Sequence, residues 1–254
     1  MRNLLVTIAF DGSPFHGWQI QANALSVQEA FQDALYPVLG GMPDIKACSR
    51  TDTGVHARQF CISVKTESPI ACDRLVGALN HCLPKSIAAL SCRQMEEDFH
   101  ARYSCKGKEY SYEIWNHPVR DPFLQNRALH YWYPIDETLL NTAAQGFVGT
   151  HDFSAFCTPD ARKKGDLTRR IYRARVEREG DMVRFVVAAD GFLYHMVRIM
   201  TGTLLRVREG KIAPGDIGKI IASGQRNQSG PTAPAEGLYL NRVFYEGEGF
   251  LDEA

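Results

Sequence analysis

The chain has 254 residues, of which 44% are hydrophobic and 23% are charged, and its formal net charge is zero. This composition is typical of a globular protein with one large domain or two small ones, and no apolar run approaches the ~20 residues of a membrane-spanning helix. The apolar run at 4–8 lacks the basic flank of a signal peptide, so we interpret it as a strand and expect a cytoplasmic protein.

The first half of the chain is predicted from its hydrophobic periodicity and turn residues. The predicted elements are a strand at 3–10, a helix at 26–39, a strand at 59–65, a helix at 73–83 and a strand at 87–95. Ser26-Val27-Gln28-Glu29 has the form of a capping box, which fixes the start of the first helix. Lys46-Ala47-Cys48 adds a short extended segment before the second strand.

The second half repeats this order of elements. We predict a strand at 108–116, a helix at 136–148, strands at 171–178 and 182–189, a helix at 195–208, a short helix at 215–222 and a strand at 238–245. Asp136 is expected to cap the 136–148 helix and Gly149 to end it. Met196 and Met200 fall on the apolar stripe of the 195–208 helix, so we expect them in the core.

The repeated order predicts an α+β fold. It matches a duplicated split β-α-β arrangement, which is two ferredoxin-like halves forming a mostly antiparallel sheet flanked by helices. We expect the join at Ser104-Cys105-Lys106-Gly107, giving halves at 1–105 and 106–254. A cleft between two such halves is a common place for a ligand.

The seven cysteines are widely spaced and form no C-x-x-C pair. Their odd number and spacing argue against a disulfide framework and a zinc site. We therefore interpret them as small buried apolar residues in a reducing compartment.

A turn between two strands carries the sequence Ser49-Arg50-Thr51-Asp52-Thr53-Gly54-Val55-His56-Ala57-Arg58-Gln59. Asp52 lies between two arginines, and nearby guanidinium groups favour an ionised carboxylate. Such a carboxylate can act as a nucleophile or stabilise a developing cation. A single D-T-G lacks the second carboxylate of an aspartic protease. His56 enters a strand, and we interpret it as structural.

Three further segments are candidates for a site. Tyr110 alternates with Tyr112 and Ile114, which indicates a half-buried strand face, although its ring follows two lysines and could stack on a base. Arg198 lies early in a helix, where a carboxylate partner or surface exposure would explain it. The loop after the first strand is rich in glycine and aromatic residues, and could pack on the surface or contact nucleic acid; it contains Gly12, Phe15, His16, Gly17, Trp18 and Gln19.

Positive charge concentrates between Arg162 and Arg178, where eight basic residues face two acidic ones. The local net charge of +6 could steer an anionic polymer, or the residues could form an ordinary solvated strand face.

Five blocks of this sequence, in this order, resemble the tRNA pseudouridine synthase A family. They are F-D-G-S-x-F-H-G-W-Q, R-T-D-x-G-V-H, D-F-H-A-R-Y-S, Y-x-Y, and H-M-V-R with E-G-L-Y-L. The family's usual active-site loop is G-R-T-D-A-G-V-H, from which Ser49 and Thr53 depart. The resemblance implies a pseudouridine synthase fold and isomerisation of uridine at tRNA positions 38, 39 and 40 in the anticodon stem and loop. It further implies a homodimer without cofactor, metal or membrane attachment.

The resemblance also implies roles for individual residues. Asp52 is the catalytic aspartate, and Tyr110 stacks on the target base and is suited to move its C5 proton. Arg198 pairs with the aspartate, and Arg50 can occupy the space of the flipped base. The implied substrate contacts, besides Tyr110, are Gly17, Trp18, Gln19, Arg58, Lys163, Lys164, Arg169, Arg170 and Leu238.

The implied chemistry fits one carboxylate. Uracil must leave C1′, turn and rebond through C5, and a single carboxylate can stabilise or trap the oxocarbenium character that develops. No second carboxylate is recognisable that would activate water. Attack at C1′, attack at C6 and removal of the 2′ proton by Asp52 all stay open. The competing hypotheses are an RNA-binding protein without catalysis, a synthase acting on other RNA, and an unrelated hydrolase.

Overall fold

The computed structural model describes residues 1–158 and 165–246. The chain divides into two compact units; among the described residues the first contains Met1–Lys106 and 240–246, and the second contains Gly107–Tyr239. The predicted α+β class with a mostly antiparallel sheet is confirmed. The interpretation of the two halves as ferredoxin-like repeats stays a prediction. No helix among the described residues is long and apolar enough to cross a membrane.

The described residues form ten strands and five α-helices. The strands are β1 (Arg2–Phe10), β2 (Ile45–Ala47), β3 (His56–Thr66), β4 (Ile87–Met95), β5 (Gly107–Trp115), β6 (Leu129–His130), β7 (Gly149–Asp152), β8 (Thr168–Glu179), β9 (Met182–Ala189) and β10 (Leu238–Phe244). The helices are α1 (Val27–Leu39), α2 (Cys72–Cys82), α3 (Glu137–Ala144), α4 (Met196–Arg208) and α5 (Ile217–Ser223).

In the first unit the strand order is β4-β1-β3-β10, and β2 pairs with part of β3. The pairs β1–β3, β1–β4 and β2–β3 are antiparallel. β1 is an inner strand with a partner on each side, and its residues from Asn3 to Ile8 are buried on both faces. Each large apolar side chain buried in this way stabilises the fold by about 1.5–3 kcal/mol.

Helix α1 begins and ends where the sequence predicts. The Ser26 hydroxyl accepts a hydrogen bond from the Glu29 backbone N–H at 3.2 Å, and the Glu29 carboxylate accepts from the Ser26 N–H at 3.5 Å, so the capping box is confirmed. Gly40 ends the helix with a φ of 75°. The predicted apolar stripe, including Phe31 and Leu35, is buried.

In the second unit the strand order is β5-β9-β8-β7, with antiparallel pairs throughout and β6 added parallel to β5. The prediction of a half-buried face on β5 is wrong, because Ser111 and Glu113 on the other face are buried as well. Glu113 is compensated there by Arg184 of β9, whose Nε lies 2.8 Å from the carboxylate, and by the Ser111 hydroxyl at 3.1 Å. Glu113, a polar residue between apolar ones in the alternating pattern of β5, is therefore tolerated in a buried position because an arginine of the neighbouring strand pairs with it.

Helix α3 is shorter than predicted. Asp136 caps it as expected, accepting from the Leu139 N–H at 3.0 Å, but the α-helix ends at Ala144 and a 3₁₀ turn covers Gln145–Phe147. Gly149 begins β7 instead of ending the helix. The tighter last turn coincides with a close approach, because a Cβ at Gly146 would lie 2.7 Å from the Ile217 Cβ.

The expected core methionines are confirmed, because Met196 and Met200 of α4 are buried. The cysteine prediction is wrong in part. Cys48, Cys61 and Cys157 are buried, but three others are half-buried and Cys82 is exposed. All seven lie among the described residues, and none is disulfide-bonded.

Candidate active site

The segment with Asp52 forms a tight turn between β2 and β3. The Val55 N–H donates to the Asp52 carbonyl at 3.1 Å, and Gly54 adopts a φ of 77°, a left-handed conformation that glycine accepts without strain. Asp52 itself is half-buried. The turn therefore presents its carboxylate at the start of a strand whose following residues belong to the core.

The loop after β1 packs against this turn at two glycines. A Cβ at Gly12 would lie 2.0 Å from the Val55 carbonyl oxygen, and a Cβ at Gly17, where φ is 80°, would lie 2.5 Å from the Thr51 carbonyl oxygen. The Trp18 N–H donates to that same Thr51 oxygen at 3.1 Å. Any side chain at these glycines would displace the backbone next to Asp52.

The same loop is attached to the start of α1. The carbonyls of Gly17 and Trp18 accept the N–H groups of Val27 and Gln28 at 3.0 and 2.9 Å. These N–H groups belong to the first helical turn, which has no partners within the helix. The helix, the loop and the Asp52 turn are thus joined by consecutive backbone hydrogen bonds.

The predicted substrate contacts in this loop have different environments. Trp18 is only 4% exposed and stacks on Phe60 with ring centroids 4.4 Å apart, so its ring offers no free face to a base and supports the core instead. Gly17 is buried at the close approach described above, whereas Gln19 is exposed. We therefore retain Gln19 and the backbone of Gly17, but not the Trp18 ring, as proposed contacts.

His56 has a structural position. It is 2% exposed, its Nδ1 accepts the Gly12 N–H at 3.0 Å, and that nitrogen lies 3.2 Å from the Asp11 carboxylate. The imidazole thus ties the glycine loop to the first residue of β3. Arg50 and Arg58, on either side of the turn, are exposed, and their roles stay predictions.

In the second unit, Tyr110 lies in the middle of β5 opposite Val187 of β9. It is 7% exposed, and its ring packs edge-on against Phe192 with centroids 5.0 Å apart and an interplanar angle of 79°. Sequence reasoning missed Phe192, which lies three residues before the H-M-V-R block that contains Arg198. Its contact fixes the plane of the tyrosine ring.

Arg198 is the third residue of α4 and is bound to the 226–237 segment. Its Nε donates to the Ala233 carbonyl at 2.8 Å, and the Ala233 N–H donates back to the Arg198 carbonyl at 3.1 Å. This segment crosses α4 at two glycines, because a Cβ at Gly202 would lie 1.8 Å from the Pro231 carbonyl oxygen and one at Gly230 would lie 2.3 Å from the Gly202 backbone.

Tyr112, next on the same face of β5, supports the 226–237 segment. Its hydroxyl donates to the Pro234 carbonyl at 2.8 Å. Burial raises the pKa of Tyr112, the Glu236 carboxylate raises it further, and Arg198 opposes the increase. Burial likewise raises the pKa of Glu236. Tyr112 therefore stays a neutral hydrogen-bond donor. Leu238, which follows this segment, is 7% exposed.

In the described part of the predicted basic stripe, carboxylates neutralise several of the arginines. Lys163 and Lys164 lie outside the described residues. On β8, the guanidinium groups of three arginines contact carboxylates at 2.7–3.0 Å; the pairs are Arg173–Glu109, Arg175–Glu177 and Arg178–Glu137. Arg169 donates to the nearby carbonyl of Asp166, and exposed Arg170 lies 5.3 Å from the Tyr172 ring centroid. Arg169 and Arg170 are thus the described arginines of the stripe that remain candidates for RNA contacts.

Within residues 1–158 and 165–246, no three His, Cys, Asp or Glu side chains are grouped so as to hold a metal ion. The candidate catalytic groups are one carboxylate on a fixed turn in the first unit, and an oriented tyrosine and arginine in the second.

Comparison with known proteins gives the family. Residues 143–246 match the family model described as tRNA pseudouridine synthase. The chain is 44% identical to tRNA pseudouridine synthase A of Acetivibrio thermocellus over 245 residues, which cover 96% of this chain and 100% of the relative. It is 42% identical over 246 residues to the protein of that name from Ruminiclostridium cellulolyticum and 40% identical over 245 residues to that from Thermoanaerobacter sp., with the same coverage. Pseudouridine synthases are isomerases, and this chain belongs to the tRNA pseudouridine synthase A family.

Proposed function

We propose that this enzyme converts uridine to pseudouridine in tRNA, at positions 38, 39 and 40 of the anticodon stem and loop. The observation that carries the proposal is the similarity, at 40–44% identity, to proteins named tRNA pseudouridine synthase A over 96% of this chain. The fixed turn around Asp52 supports it, because the chemistry needs a carboxylate with a defined position.

The proposed reaction is an isomerisation in which all atoms of the nucleotide are conserved. The bond between N1 and C1′ breaks, a bond between C5 and C1′ forms, the C5 proton leaves and N1 gains a proton. We propose that Asp52 is the nucleophile or base of this reaction. Its attack at C1′, its attack at C6 and its removal of the 2′ proton remain three versions of the same proposal. The target base must leave the helical stack first, at a cost of a few kcal/mol.

We propose that Tyr110 and Arg198 serve the same reaction. The edge-on contact with Phe192 gives the Tyr110 ring one orientation, as a residue that stacks on a base requires. The hydrogen bond from Nε to Ala233 orients the Arg198 guanidinium, which supplies positive charge. Arg50 is proposed to occupy the space of the flipped base. Proposed contacts to the rest of the tRNA are Gln19, Gly17, Arg58, Leu238, Lys163, Lys164, Arg169 and Arg170.

A tritium-release assay tests the function directly. Transcripts of tRNA labelled at C5 of uridine release tritium when the C5 proton leaves, and transcripts with uridine at only one of positions 38, 39 and 40 identify the target. We expect release from these transcripts and none from a transcript with cytidine at all three. Release of free uracil would instead indicate a hydrolase. Tight binding without release would indicate an RNA-binding protein.

Mapping pseudouridine in cellular RNA with and without this protein extends the test to every RNA. Loss of pseudouridine confined to the anticodon arm of tRNA is expected, whereas loss confined to ribosomal RNA would contradict the proposed substrate. We further propose that the enzyme is a cytoplasmic homodimer, as the family resemblance implies. Sedimentation equilibrium checks the dimer, and a mass near the 28.5 kDa of one chain would contradict it.

The role of the Tyr110 hydroxyl is tested by Tyr110→Phe. The ring and its contact with Phe192 are kept, so tRNA affinity should stay within about twofold while turnover falls by at least about a hundredfold, the range of a lost general acid or base. The measurements are single-turnover tritium release and equilibrium binding. Wild-type turnover in this variant would show that the hydroxyl has no part in the proton transfer.

A further inference from the structure

The side chain of Thr51, the residue before Asp52, is in an unusual environment. Its Oγ1 is enclosed by protein and makes no hydrogen bond with any residue in 1–158 or 165–246. Five side-chain polar atoms share this condition among the described residues, and Thr51 is the one that neighbours Asp52 in the chain. A hydroxyl that leaves water without gaining a partner destabilises the fold, so each such atom needs an explanation.

Other buried threonines of the chain have hydroxyl groups that make the hydrogen bonds which the Thr51 hydroxyl does not make with the described residues. The Thr203 hydroxyl donates to the Ile199 carbonyl and accepts from the Gly230 N–H, both at 2.8 Å. The Thr66 hydroxyl accepts the Ser68 N–H at 3.1 Å. Thr66 and Thr51 have the same exposure, 8%, and lie in the same unit. Burial to this extent is therefore compatible with a partnered hydroxyl elsewhere in the molecule.

The backbone of Thr51 is held by its own contacts, so a backbone shift is not available to bring the Thr51 hydroxyl to a partner. Its carbonyl accepts from the Trp18 N–H, and the absence of a Cβ at Gly17 is what lets the two backbones approach. The side chain retains one degree of freedom. The residue keeps 8% of its surface exposed although Oγ1 is enclosed, so other atoms of Thr51 face solvent. Rotation about χ1 exchanges the hydroxyl with the methyl group, and threonine populates more than one such rotamer.

We propose that the Thr51 hydroxyl is a substrate-binding group, which turns by rotation about χ1 and hydrogen-bonds a polar atom of the target nucleotide at Asp52. In the free enzyme the hydroxyl has no partner among the described residues, and in the complex the ribose hydroxyl or a base oxygen or nitrogen serves as its partner. This inference rests on the proposed function, because it needs a nucleotide at Asp52. It adds a contact that discriminates a correctly placed uridine from one that reaches the turn in another orientation.

The test compares three variants. Thr51→Val keeps the shape and removes the hydroxyl, Thr51→Ser keeps the hydroxyl, and Thr66→Val is the matched control that removes a partnered hydroxyl of equal burial. We expect Thr51→Val to unfold at the same or a higher temperature than wild type while its kcat/KM falls about tenfold, the effect of one hydrogen bond. Thr51→Ser should recover most of that loss. Thr66→Val should unfold at a lower temperature with wild-type kcat/KM.

Each other outcome overturns the inference. If Thr51→Val unfolds at a lower temperature, as Thr66→Val does, the wild-type Thr51 hydroxyl already has a partner, such as a buried water. The hydroxyl is then not free to bind substrate. If Thr51→Val has wild-type kcat/KM while wild type is active, only the role of Thr51 fails. If wild type forms no pseudouridine in tRNA, the proposed function fails and the role of Thr51 fails with it.

Discussion

The turn that carries Asp52 and the helix start that carries Arg198 are both positioned by backbone segments that meet at glycines. In the first unit Gly17 lies against the Thr51 carbonyl, and in the second unit Gly202 lies against the Pro231 carbonyl. A Cβ would lie 2.5 Å from the first oxygen and 1.8 Å from the second. In each unit, the backbone that carries a candidate charged residue thus packs against another backbone segment at a glycine.

The two regions differ in how far a displacement of the backbone moves the charged group of the side chain. An aspartate carboxylate is joined to the backbone by two rotatable bonds, so a shift of the 51–55 turn moves the Asp52 carboxylate with it. An arginine has four, and the Arg198 side chain can compensate for part of a shift, while its Nε bond to Ala233 ties it to the 226–237 segment. We therefore expect catalysis to be more sensitive to the packing around Asp52 than to the packing around Arg198.

The largest effect should come from Asp52→Asn. This nearly isosteric change removes the reactive carboxylate, so pseudouridine formation should fall by at least about 10³-fold. Affinity for tRNA should change little, because the shape of the turn is kept. Asp44→Asn is the control, since Asp44 is an exposed carboxylate of the same unit that pairs with Lys46. Single-turnover tritium release measures both, and an Asp52→Asn enzyme with the turnover of the control would remove Asp52 from the mechanism.

Gly17→Ala tests whether the backbone contact positions Asp52. The added methyl group meets the Thr51 carbonyl, and a displacement of about 1 Å lowers turnover by about a hundredfold. Gly40→Ala is a matched control, because Gly40 has a similar positive φ of 75° but open space around its Cβ position. That control should lose about 1–2 kcal/mol of stability from the backbone conformation alone and keep wild-type turnover. Equal turnover in the two variants would show that the glycine contact does not position the carboxylate.

Gly202→Ala makes the corresponding change in the second unit, and we expect a smaller effect on turnover, about tenfold or less. The methyl group pushes the 226–237 segment away from α4, and overpacking of this kind costs about 1–3 kcal/mol of stability. Gly218→Ala in α5 is the control, because nothing lies near its Cβ position and alanine favours a helix by up to about 1 kcal/mol. Thermal unfolding and turnover are the measurements. A loss of turnover in Gly202→Ala larger than that in Gly17→Ala would show that catalysis is more sensitive to the packing around Arg198 than to the packing around Asp52.

The sequence predicts those features that depend on nearby residues. The capping box at Ser26 and the apolar stripe of α4 follow from three- and four-residue spacings, and both are confirmed. The predicted end of α3 is wrong, and beside this end Gly146 packs closely against Ile217, which lies 71 residues further along the chain. Elements as short as β6 and β7 carry no periodic pattern and were missed.

Features of the candidate site that depend on distant residues were not predictable. The burial of the Trp18 ring requires Phe60, and the neutralisation of Arg173 requires Glu109, 64 residues away. The lack of a hydrogen-bond partner for the Thr51 hydroxyl within residues 1–158 and 165–246 is a result of packing that no local sequence pattern indicates. Sequence motifs thus indicate which residues are chemically able to act in catalysis or binding, whereas the exposure and partners of those residues depend on three-dimensional contacts.

Arg169 and Arg170 of β8 extend the comparison to charged side chains outside the two regions packed at Gly17 and Gly202. On β8 they lie beside arginines paired with carboxylates, so among the described residues of the stripe we expect their charges to be the most open to a phosphate backbone. Reversing both to glutamate should weaken tRNA affinity and reduce the slope of its salt dependence by about one unit for each lost phosphate contact, with turnover of bound substrate unchanged. Arg175→Glu is the control, because Arg175 is exposed on the same strand but pairs with Glu177 at 3.0 Å. Binding measured over a range of salt concentrations decides the point, since equal slopes in the double variant and in wild type would make this strand a solvated face with no part in tRNA binding.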